Sequence, residues 1–121
     1  MAYLIQLYRM LKLAQLKFSA LRKTNMNQLE AEFSERLHDS IRQAQNLGYN
    51  PTRFEQMLAA LGALNMAKKL VISGDLQDGL KTMAKLGRKD LTLESIMLEP
   101  KFNSLFSAAE LQAATWRLSQ V

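Results

Sequence analysis

The chain has 121 residues, no cysteine, a single histidine, and 16 lysine and arginine residues against 11 aspartate and glutamate residues. That length is one domain's worth and buries roughly two thirds of the unfolded chain's surface on folding, so no covalent staple is required. The missing cysteine excludes disulfides, thiolate catalysis and cysteine-ligated metals, and leads us to expect a reducing, cytoplasmic setting.

The net charge of +5 is local. Residues 1–23 hold Arg9, Lys12, Lys17, Arg22 and Lys23 and no acid, whereas residues 24–121 balance eleven bases with eleven acids. A neutral body with one cationic segment points to a local electrostatic role rather than a broad phosphate-binding surface. In this first segment Leu4, Leu11 and Phe18 share one heptad position and Leu7, Ala14 and Leu21 the other, which predicts a basic amphipathic helix with an apolar stripe. Ile5, Leu13 and Leu16 lie on the other side, so the helix is expected to be contacted on two faces. Arg9 and Lys12 interrupt any signal-peptide core and would cost about 2.5–3.5 kcal/mol each at the centre of a membrane span. A mitochondrial presequence is disfavoured by the single serine and the leucine content.

The run Thr24-Asn25-Met26-Asn27 reads as a break, with Asn27 and Glu30 spaced as a capping box. A second helix then presents Leu29, Phe33, Leu37, Ile41 and Ala44 and stops at Gly48. Glu30, Glu32 and Glu35 would supply negative charge near its N-terminus. Asn50 and Pro51 restart the chain, with Phe54, Met57, Leu58 and Leu61 inward, and Gly62 ends that helix. Ala63 to Ile72 resumes, and Ser73-Gly74-Asp75 supplies a turn and cap. Leu76 to Leu86 is a short helix closed by Gly87. Gly79 within it costs roughly 1 kcal/mol relative to alanine, which predicts a close approach or a bend. Thr92 to Leu98 stops before Pro100, and Ser107 with Glu110 forms a capping box opening a helix to about Leu118. The expectation is an all-α fold, a compact array of six or seven short-to-medium helices in a single domain, with no strand.

Catalytic groups are sparse. His38 falls opposite the apolar stripe of its helix, where a solvated residue belongs. There is no nucleophile elbow, zinc motif or calcium loop. We therefore expect no enzyme, no metal or cofactor and no small-molecule substrate.

From Gly48 onward the motifs GYNPTRF, Asp78-Gly79, LGRKDLTLE (Leu86 to Glu94) and LFSAAEL (Leu105 to Leu111) form a pattern similar to that of small, all-helical bacterial proteins with no established activity. The resemblance covers about residues 30–111 and implies a self-contained prokaryotic module. It assigns no site residue.

Covering Leu4, Leu7, Leu11, Phe18 and Leu21 would contribute on the order of 7–15 kcal/mol gross, more than five screened charges can. The leading expectation is thus a non-enzymatic protein-binding or adaptor module that engages a partner, or a second copy of itself, through this stripe. Two alternatives use the charge. Nucleic acid could meet a helix-turn-helix-like region at residues 54–71 with the scattered bases behind it, and Arg9, Lys12, Lys17, Arg22 and Lys23 would then contact phosphates. The same helix could instead lie on an anionic membrane surface, anchored by Tyr3, Tyr8 and Phe18.

Overall fold

A computed structural model describes residues 2–73 and 78–121, the side chains of residues 19–24 excepted. All regular structure among the described residues is helical. Six α-helices run in chain order: α1 (Ala2–Asn46), α2 (Thr52–Leu61), α3 (Ala63–Val71), α4 (Asp78–Lys85), α5 (Leu93–Met97) and α6 (Ala108–Ser119). Two single 3-10 turns, Lys89–Leu91 and Asn103–Leu105, join the later ones.

The expected break at Thr24–Asn27 does not occur. Helix α1 is continuous over 45 residues, a rod about 67 Å long. The physical reason is the absence of any true breaker: there is neither glycine nor proline between residues 2 and 46. Threonine and asparagine each cost only up to about 0.7 kcal/mol in a helix interior, less than terminating and renucleating it. Because no N-terminus exists at residue 27, Asn27 caps nothing and Glu30, Glu32 and Glu35 complement no helix dipole there. Glu32 instead pairs with Lys101 at 3.2 Å.

The remaining stops follow from the backbone. Gly48, Gly62 and Gly87 adopt φ of 88°, 78° and 69°, the left-handed region that glycine enters at little cost. At the first, Tyr49 N–H donates to the Ala44 carbonyl and closes the end of α1. Asn50 does not cap α2, because its side-chain oxygen accepts from Gln45 (3.4 Å). Thr92 caps α5, its Oγ1 accepting from Ser95 N–H at 3.2 Å. Asp90 is held by Arg88 at 3.0 Å. Gly79 is explained by close approach: a β-carbon there would meet the Tyr49 hydroxyl at 3.3 Å. Of the turn expected at Ser73-Gly74-Asp75 only Ser73 is described, its Oγ donating to the Leu70 carbonyl at 2.8 Å; residues 74–77, with the start of the helix at Leu76, lie outside the described residues.

Ser107 and Glu110 form the reciprocal capping box, Ser107 N–H donating to Glu110 Oε1 (2.8 Å) and Glu110 N–H to Ser107 Oγ (3.2 Å). Substituting Ser107 by alanine is expected to lower stability by about 0.5–2 kcal/mol, read as a shift in the urea midpoint at unchanged slope.

The core sits where the second half of α1 meets the C-terminal helices. Phe33 and Leu37 are fully buried, and Ile41 and Ala44 nearly so. Phe33 packs edge-to-face on Phe102 (5.5 Å) and Phe106 (5.3 Å). Helix α3 is the hub, touching α1, α2, α5 and α6 and burying Ala63, Met66, Ala67, Leu70 and Val71.

Candidate interaction surface

Among the described side chains of α1, those packed on the body begin at Leu29. Every described side chain from residue 2 to 18 and from 25 to 28 is exposed. The helix therefore projects about 40 Å beyond the core as an arm. Its large apolar side chains are open to solvent, from Leu7 at 45 % to Tyr3 at 77 % exposed, with Leu4 at 67 %, Leu11 at 59 % and Phe18 at 62 %. Of the stripe predicted from sequence, these four leucine and phenylalanine positions thus share one side of the helix and are exposed. Leu21 lies outside the described side chains, as do Arg22 and Lys23.

Ile5, Leu13 and Leu16 are exposed as well. Both faces of the helix expected to be contacted are thus exposed among the described side chains of residues 2–18. Arg9, Lys12 and Lys17 are solvated, and Lys12 Nζ lies 5.9 Å from the Tyr8 ring one turn earlier. Ten large apolar side chains are exposed within sixteen residues (Tyr3 to Phe18), a concentration that marks an interaction surface rather than scattered single residues.

The body offers much less. A shallow open groove of about 240 Å³ runs between α1 and α2 and is lined by Ser34, His38, Glu55, Leu58, Ala59, Gly62 and Ala63. Serine, histidine and glutamate together invite comparison with a hydrolytic triad. However, the Glu55 carboxylate accepts from Gln45 at 2.9 Å, and His38 is exposed, as its position opposite the stripe predicts. No group of three or more metal-ligating side chains occurs among the described residues, and none of their helices is long and apolar enough to cross a membrane.

The helix-turn-helix outline at residues 54–71 is built as part of the core. Its two helices are joined by Gly62 alone, and the helix that would enter a groove is α3, five of whose nine residues are buried. Of its two cations, Lys68 is taken by Glu110 at 3.2 Å and rests over the Phe106 ring. Lys101 and Arg88 are likewise paired, with Glu32 and Asp90.

One constellation was not visible from sequence: Glu94 and Arg117 are both buried, 4 % and 1 % exposed, with Arg117 Nε 3.7 Å from Glu94 Oε2. Arg117 Nη1 also donates to the Ser73 carbonyl at 3.0 Å. The available signal was the spacing Leu111, Ala114, Arg117, which puts the arginine on the inward stripe of α6. Buried as it is, this pair ties α5 to α6 and, through the Ser73 carbonyl, to the end of α3. No protein-family model, curated protein or solved structure matches the chain.

Proposed function

We propose that the protein is a non-enzymatic helical adaptor whose body anchors α1 and whose projecting arm, residues 2–23, binds another protein along the Leu4/Leu7/Leu11/Phe18 stripe. The observation that carries this reading is the arm's exposure: side chains that would each contribute about 1.5–3 kcal/mol on burial stand in water beside a core that does not use them. Cations around the stripe would steer an acidic-rimmed partner and set on-rate more than affinity.

The nucleic-acid alternative draws less support, because α3 cannot enter a groove without leaving the core. A membrane-surface mode would leave Ile5, Leu13 and Leu16 facing water beside Arg9, whereas a protein surface can enclose them. The test is a comparison of the full chain with one lacking residues 2–23. Both should unfold at the same urea concentration within about 0.5 kcal/mol, since the arm's described side chains are all exposed. Only the full chain should retain its protein partners, or a differently tagged second copy, on affinity capture. Equal retention by the shortened chain would refute the proposal.

A further inference from the structure

We infer that the arm's occupant is an acidic groove of another protein, one that closes around the helix and covers both of its apolar faces. This rests on the arm being the binding element and names the chemistry that binds it. The arm carries a second apolar line. At about 100° per residue, with Phe18 at the centre of the stripe, Ile5, Leu13 and Leu16 fall at about 140°, 220° and 160°, on the opposite side. They are as exposed as the stripe itself. A surface that meets the helix from one side, as a bilayer or a flat protein face does, covers one line and leaves the other in water. A groove that surrounds the helix covers both.

Charge then gives the groove its chemistry. On the same wheel Lys12 falls at about 120° and Lys17 at about 260°, the two borders between the apolar lines, and Arg9 at about 180°, within the second line. Lys12 Nζ lies 5.9 Å from the Tyr8 ring, at the edge of the stripe. Closing protein around both lines takes these charges out of bulk water, where an ammonium or guanidinium group is stable only beside a counter-charge. The arm supplies none. Residues 1–29 hold no acid, and the first, Glu30, lies about 20 Å further along the rod than Lys17. Of the acids beyond it, Glu32 is engaged by Lys101 and Asp39 by Arg36 and Arg42. The counter-charges therefore come from the occupant, which sets carboxylates on both walls of the groove. A second copy of the arm would bring more cations and no acid, and nucleic acid would meet the cations without covering the leucines. Only a protein offers apolar walls and carboxylates together.

The experiment uses the full chain, with calmodulin as the probe: an acidic protein that exposes a methionine-rich apolar groove on binding calcium and accepts amphipathic helices of many sequences. Calorimetric titration should give a Kd of about 10 µM or tighter with calcium, and binding at least about tenfold weaker with a chelator. A Lys12→Glu/Lys17→Glu chain, which sets like charges against the acidic walls, should bind at least about tenfold more weakly. An Ile5→Ala/Leu13→Ala/Leu16→Ala chain, which keeps the helix and removes the second line, should lose at least about as much. Both chains should keep the urea midpoint of the body, since every substituted side chain is exposed. Absence of binding at about 100 µM with calcium overturns the enclosing groove and leaves the arm as a binding element to its own capture test. Binding indifferent to the charge reversal overturns the acidic walls, and binding indifferent to the three alanines overturns enclosure from both sides. Sedimentation with vesicles of phosphatidylglycerol that the triple-alanine chain shares in full assigns the arm to a one-sided lipid surface and overturns the protein groove.

Discussion

Replacing Phe33 with alanine should destabilise the protein by about 3–5 kcal/mol, enough to unfold a large fraction of a domain whose total stability is of the usual 5–15 kcal/mol. Phe33 is fully buried and is the side chain through which α1 meets Phe102 and Phe106 in two edge-to-face contacts. Such aromatic pairs add about 0.5–1.5 kcal/mol beyond their area. Truncation removes both contacts and leaves a cavity at the root of the arm. The helix cannot move to fill it, because Leu37 and Ile41 fix the same face one and two turns further on. A Phe33→Leu chain should recover more than half of the loss. Urea denaturation distinguishes this from a surface effect: a cost below about 1 kcal/mol for the alanine chain would mean that the root of α1 is held elsewhere, by Arg36 with Glu99 (3.1 Å) and Lys101 with Glu32 (3.2 Å).

That root was legible in the sequence. The spacing of Phe33, Leu37, Ile41 and Ala44 assigns the buried face of α1 because a packed helix must present its apolar side chains every three or four residues. The left-handed glycines and the Ser107 box were legible for the same kind of reason, since each satisfies a local backbone requirement irrespective of the rest of the fold. What misled was Asn27 with Glu30. A capping box is a device for satisfying free amide groups, and in the interior of a helix those groups are already bonded. The motif therefore permits a helix start without compelling one, whereas a proline or glycine at the same place would have compelled a stop. Contacts distant in sequence, such as Tyr49 over Gly79, left no periodic trace. For the arm, the sequence could show which side chains form a stripe but not whether the body folds back over them, because that depends on the continuity of α1 through residues 24–27. Once the rod is unbroken, Leu4 and Leu11 are carried out of the core's reach by geometry alone.

The Glu94–Arg117 pair should give the second large effect, and its sign depends on which partner is removed. Arg117→Met leaves the Glu94 carboxylate buried without its counter-charge and removes the donor to the Ser73 carbonyl, with an expected cost of about 3–5 kcal/mol near neutral pH. Glu94→Leu combined with Arg117→Met replaces the pair by packed apolar groups and should recover most of that loss, because the desolvation of both charges is no longer incurred. A pH series adds an independent readout. Burial raises the Glu94 carboxyl above its ordinary 4.5, against the opposing pull of Arg117. The folded chain thus binds this proton more tightly than the unfolded chain does. Its contribution is greatest below pH 4.5 and declines as pH rises through the raised folded value. Asp90, held low chiefly by its hydrogen bond from Arg88, and Glu110, held low chiefly by the Ser107 amide, act oppositely. Their contributions are present above 3.8 and 4.5 and are lost as pH falls through their depressed folded values. Glu94→Gln should therefore flatten the profile above pH 4.5 and leave the acid limb intact. Parallel profiles of the two chains from pH 3 to 8 would mean that Glu94 titrates as it does in the unfolded state, and that the buried pair is not what ties α6 to the core.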